Sequence, residues 1–93
     1  MDNTIRINKT ELNKISFAEN EVLDKHYKKE RDNLLTAAIR KKKDGTGKVG
    51  ITFQSDNRGR FKVVSSILTA GKDYLVIKGG QTIPINSITK ISL

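Results

Sequence analysis

His26 is the one imidazole in the 93 residues, and the chain has no Cys and no Trp. Metal binding or acid–base catalysis needs partners converging on such a group. The nearest acids, Glu19, Asp24 and Glu30, share one mixed-charge stretch with it, and Glu30, four residues on, makes a surface pair the plainer reading. Without thiols there is no Cys-His nucleophile, no disulfide framework and no thiolate zinc site. The C-terminal half holds only two acids, Asp56 and Asp73, both among turn residues. Gly45-Thr46-Gly47-Lys48 is like the end of a phosphate-binding loop, but that loop needs a longer glycine spacing, a Ser or Thr after the Lys, and a following helix. Val49 and a strand pattern follow instead, so the segment reads as a flexible link. No catalytic residue, metal ligand or cofactor is expected, and the protein reads as non-enzymatic.

Binding is left, and the cations indicate to what. Lys and Arg number 18 against 10 Asp and Glu, a formal charge of +8. Clustered cations attract phosphate backbones. The candidates are the run Arg40, Lys41, Lys42 and Lys43, with Lys48, Arg58, Arg60, Lys62 and Lys78. Phe53 and Phe61 belong to the core pattern, so only Tyr27 and Tyr74 remain for stacking. The expected partner is therefore single-stranded RNA or DNA, held by its phosphates with little base readout and with an affinity that falls with salt. A second reading stands beside it. The Arg40–Lys43 run then merely compensates a helix dipole, and Leu23, Tyr27, Val64 and Leu68 bind an acidic protein or a second copy of the chain as a homo-oligomer.

Three segments must position these residues. An arm over 1–15 has too few apolar residues to form an element unaided. A helix is expected over 16–44: Ser16-Phe17-Ala18-Glu19 reads as a capping box, and Asp44-Gly45-Thr46-Gly47 stops it. Leu23, Tyr27, Leu34 and Ala38 keep helical spacing, but Lys28 to Asn33 contains no apolar residue. The helix either has two sticky ends and a wet middle or is bent or broken near Lys29. From Lys48 the period becomes two. Pairing Phe53 with Phe61 and Ile51 with Val63 puts both strands' apolar residues on one face. Val64 and Leu68 then fall on the other face and call for a cover, for which the helix is the candidate. Gly79-Gly80 makes a tight turn, Pro84 marks an edge strand, and Asn86-Ser87 offers a short helical turn before a last strand over 88–93. The expected core is Val49, Ile51, Phe53, Phe61, Val63, Ile67, Leu75, Ile77, Ile83, Ile85, Ile88 and Ile91.

The expected fold class is thus α+β, mostly β: a long N-terminal helix followed, over 45–93, by a five-stranded, strongly bent antiparallel small barrel. The stretch Phe61-Lys62-Val63-Val64-Ser65-Ser66-Ile67-Leu68, leading to Asp73-Tyr74-Leu75-Val76-Ile77-Lys78 and Gly79-Gly80, resembles the Sm-like and SH3-like small barrels. Ile77-Lys78-Gly79 is similar to the core of the second Sm motif. The chain departs from those families at Ser65-Ser66, where a Gly is usual. At Ile83-Pro84-Ile85 it lacks the Tyr-Lys-His stretch of the bacterial Sm-like RNA chaperones, so the resemblance implies the barrel and not a uridine pocket. Tyr74 to Ile91 also resembles a group of small uncharacterised bacterial proteins, which implies no activity. No apolar run reaches the roughly 18 residues of a bilayer span, and Met1 to Thr10 lacks a signal-peptide core, so a soluble cytoplasmic protein with no membrane partner is expected.

Overall fold

Alternating apolar residues build most of this molecule, and one helix completes its core. The computed structural model describes residues 4–42, 47–56 and 59–93; Lys43, Arg58 and the side chains of Lys41 and Lys42 lie outside the described residues. Strand β1 (Ile5–Arg6) leads to a 3-10 helix, Lys9–Lys14, and then to α1 (Lys25–Lys42). Strands β2 (Lys48–Gln54), β3 (Arg60–Ala70), β4 (Tyr74–Ile77) and β5 (Thr82–Pro84) follow; a 3-10 turn, Ile85–Ser87, separates β5 from β6 (Ile88–Ser92). The fold is α+β, with α1 packed on a mainly antiparallel six-stranded sheet of order β5-β4-β3-β2-β6, and with β1 parallel beside β3.

The β2–β3 register is the expected one, Phe53 opposite Phe61 and Ile51 opposite Val63. Every residue of the expected core is buried except Phe61, which is half-buried. Each large side chain removed from water in this way contributes about 1.5–3 kcal/mol. The Gly79-Gly80 turn carries positive φ angles of 107° and 90°, which glycine adopts without a Cβ clash. Pro84 does sit on an edge strand.

The sheet, however, is not closed into a barrel, nor strongly curled. Strands β5 and β6 stand at opposite ends of the strand order. The backbone that could join them is otherwise engaged: the Asn86 carbonyl accepts the Val22 N–H at 3.0 Å, and the Ile88 carbonyl accepts Arg31 Nη1 at 2.9 Å. Helix α1 completes the core instead, burying Leu35 and Ala38 in it.

The helix also begins nine residues later than the capping box suggests, and it is not N-terminal, since β1 and the 3-10 helix precede it. Phe17 is drawn to the sheet, where it bridges Ser55 and its ring lies 5.1 Å from that of Phe53. The Ser16 carbonyl accepts the Asp56 N–H at 2.8 Å, and the Ala18 N–H donates to Gln54 O at 3.0 Å. Aromatic burial thus overrides the local capping signal. Asp24 caps the real helix by accepting the Tyr27 N–H on Oδ1 at 3.0 Å. The helix spans roughly 27 Å at ~1.5 Å per residue rather than the full 16–44 stretch.

The middle of α1 is wet at Lys28, Lys29, Glu30, Asp32 and Asn33, which are exposed, and is buried only at Arg31. The expectation that the helix covers Val64 and Leu68 is corrected, since they stay 36% and 45% exposed. A helix whose buried face completes the core leaves the opposite face of the sheet uncovered.

Candidate functional site

The uncovered face of the sheet gathers cations by register. Arg6 of β1 lies opposite Lys62 of β3, Lys62 opposite Thr52 of β2, and Thr52 opposite Lys90 of β6. Directly paired residues share a face, so these four form one row across four strands. Lys48, opposite Ser66, and Arg60, opposite Gln54, extend the face along the strands. Lys62 lies flat across β2: a Cβ on Gly50 would stand 2.6 Å from its Cε. Glycine at position 50 is therefore what lets the Lys62 stem rest on the neighbouring strand.

At one corner this face becomes concave. The arm docks on β3 through its β1 pairing and through the Ile7 N–H, which donates to Lys62 O at 2.9 Å. Leu12, in the 3-10 helix, is 3% exposed and belongs to the core. Lys9 Nζ donates to the Lys78 carbonyl at 3.0 Å, tying the arm to the β4–β5 turn, while the Lys78 N–H donates to Ser66 O at 2.9 Å. Between arm, β2, β3 and turn lies a groove of about 530 Å³. Arg6, Lys9, Lys48 and Lys78 line it, with Val64, Ser65 and Ser66, and among the described residues no acid lines it. Cations concentrated in a concavity with low-dielectric walls focus potential onto an anion.

Another groove, of about 330 Å³, lies between α1 and the β4 and β5 side of the sheet. Its charges nearly cancel, with Lys28, Arg31 and Lys72 set against Glu21, Asp32 and Asp73. The Arg31 guanidinium is 4% exposed and meets Glu21 through two parallel bonds, Nη1 to Oε2 at 2.8 Å and Nη2 to Oε1 at 2.7 Å. Burial pushes the Glu21 carboxyl up, but the Arg31 hydrogen bonds, the Leu23 N–H and the charges of Arg31 and Lys28 outweigh it and hold it below its ordinary 4.5. An acid held deprotonated by a buried arginine is a poor general acid at neutral pH. His26 is exposed on the first turn of α1, its ring edge-on to Tyr27 at 5.2 Å. Among the described residues no three His, Cys, Asp or Glu side chains come together.

The expected phosphate contacts are therefore divided. Lys48 and Lys78 line the groove, and Lys62 and Arg60 lie on the face beside it. Arg40 is exposed on α1 and is not among the groove's lining residues. Of the expected interaction residues, Val64 is in the groove, Leu68 is exposed beyond it, Tyr27 is 54% exposed on α1, and Leu23 is half-buried before it. Arg6, Lys9 and Lys90 are the cations that sequence reasoning misses. The one signal for the arm is Arg6 between Ile5 and Ile7, a period-two pattern too short to read as a strand. Compared with known proteins, the chain matches no family model, no curated protein and no solved structure, so its function is read from this groove and the face around it.

Proposed function

We propose that the protein is a non-enzymatic module that binds single-stranded RNA or DNA through its phosphates, with little sequence specificity. The observation that carries this reading is the convergence of Arg6, Lys9, Lys48 and Lys78, from the arm, β2 and the β4–β5 turn, on one groove that no acid lines among the described residues. Lys62, Lys90 and Arg60 extend the cationic surface along a strand-sized path. Among the described residues no aromatic side chain lines the groove, so it offers no stacking platform for bases. The fold is proposed as an open relative of the Sm-like or SH3-like small barrels, on the strength of the five strands β2 to β6, with β6 returning beside β2 after a one-turn helix. A salt titration of binding to a labelled oligonucleotide tests the function. The logarithm of the affinity should fall linearly with that of salt, by ~0.7 per phosphate contacted for a single strand. No retention at low salt would remove this reading.

A second reading, a module for an acidic protein or for a second copy of the chain, is favoured by the exposure of Tyr27 and Leu68 and by the place of β5 at the end of the strand order. Light scattering at high concentration separates the two: strict monomers that retain an oligonucleotide support the first.

A further inference from the structure

Phosphate binding leaves one feature of the groove without a use. Val64 lines it and is 36% exposed among four cations. Across β2 it faces Gly50, and beyond Gly50 stands Ser92, so no bulky neighbour on those strands shields it. The aliphatic stem of Lys62 lies over Gly50 on the same face. Val64 and that stem thus form an apolar ledge with cations on its rim.

Resting on the nucleic-acid reading above, we infer that Val64 is a specificity-determining residue that takes the unstacked bases of the bound strand while the surrounding cations hold its phosphates. A phosphate gains nothing from a valine methyl, whereas a base or sugar face laid on it removes apolar surface from water on both sides. A duplex buries its base faces in stacking and presents mainly phosphate to such a ledge, and a sulfated polysaccharide has no bases to offer. The ledge therefore favours a single strand over both, without reading which base is present.

The test compares three polyanions at low salt: a mixed-sequence ten-nucleotide single strand, the same strand annealed to its complement, and heparin. The wild-type protein should bind the single strand most tightly. Val64→Thr, which keeps the β-branched shape and strand propensity, should weaken single-strand binding about fivefold, as loss of partial burial of one side chain implies. It should leave heparin binding and the salt slope unchanged. Val64→Phe should strengthen the single strand alone, and thermal melts of both variants confirm that they fold. Equal weakening toward heparin, or no response of the single strand to either variant, overturns the role of Val64 while phosphate binding stands. Binding to none of the three removes the phosphate reading itself.

Discussion

Arg31 and Glu21 are joined by two parallel hydrogen bonds, and the same guanidinium reaches the Ile88 carbonyl at 2.9 Å. One side chain thus ties the segment before α1, the helix itself and the start of β6. Its Nε is buried without a partner among the described residues, so the cation depends heavily on Glu21. Glu21→Gln should destabilise the fold by about 2–4 kcal/mol, because removing one partner leaves a buried charge uncompensated. Chemical denaturation at neutral pH measures it. Arg31→Met, which removes the buried charge and keeps an apolar stem, should cost less than Glu21→Gln.

The same pair sets an acid limit. The Glu21 carboxyl titrates below its ordinary 4.5 in the folded chain, so folding favours its ionised form. That contribution is fully present above the unfolded value and is lost as pH falls through the lower folded value. The stability difference between the wild type and Glu21→Gln should therefore hold from pH 7 to about 5 and shrink below about pH 4. Urea midpoints across this range check it, and a gap that widens on acidification would contradict the sign.

Where the helix begins can be tested by three substitutions. Asp24→Ala removes the observed cap and should cost about 1 kcal/mol. Ser16→Ala should cost under about 0.5 kcal/mol, since the backbone of Ser16 and not its hydroxyl makes the bond to Asp56. Phe17→Ala removes a ring packed on Phe53 and should cost the most, on the order of 2–4 kcal/mol. Thermal melts rank the three. A Ser16→Ala loss as large as that of Asp24→Ala would restore the capping box.

These residues also mark where sequence patterning is informative. The β2–β3 register is legible because a one-residue slip turns every side chain to the wrong face. Phe53, Phe61, Ile51 and Val63 therefore admit one pairing. The Gly79-Gly80 turn and the Pro84 edge are legible because each rests on a backbone property of a single residue type. The start of α1 is not, because local capping competes with a contact between Phe17 and Phe53, which are distant in the chain. Arg31 reads as part of a wet helix middle, since nothing in Lys28–Asn33 reveals that a guanidinium will find Glu21 and a carbonyl. Lys48, Lys62 and Lys78 can be nominated from charge alone. Arg6 and Lys9 join them only because the arm docks, and docking depends on Leu12 reaching a core assembled from distant strands.

Gly50 gives a prediction that separates stability from binding. A methyl there would stand 2.6 Å from Lys62 Cε and 3.3 Å from Ser92 Cβ. The closer approach is to the far end of a flexible side chain, which can move aside, so Gly50→Ala should change stability by less than about 1 kcal/mol. The Lys62 stem would, however, be lifted off β2 and its ammonium displaced from the row. Oligonucleotide affinity at low salt should fall about two- to fivefold with the melting temperature nearly unchanged.

The salt slope distinguishes groove cations from bystanders. Removing the partner of one phosphate on a single strand flattens the dependence of log affinity on log salt by ~0.7. Lys48→Gln and Arg6→Gln should each flatten it by about that amount, because both side chains line the groove. Arg40→Gln carries the same charge change from a position outside the groove lining and should leave the slope unaltered. Had the protein bound polyanions through its net charge of +8 alone, all three would act alike, since each removes one positive charge. Equal slopes for the three variants would therefore assign binding to overall charge and not to the groove. A double Arg6→Gln, Lys48→Gln variant whose slope flattens by about twice the single-variant amount would show that the arm and β2 hold separate phosphates.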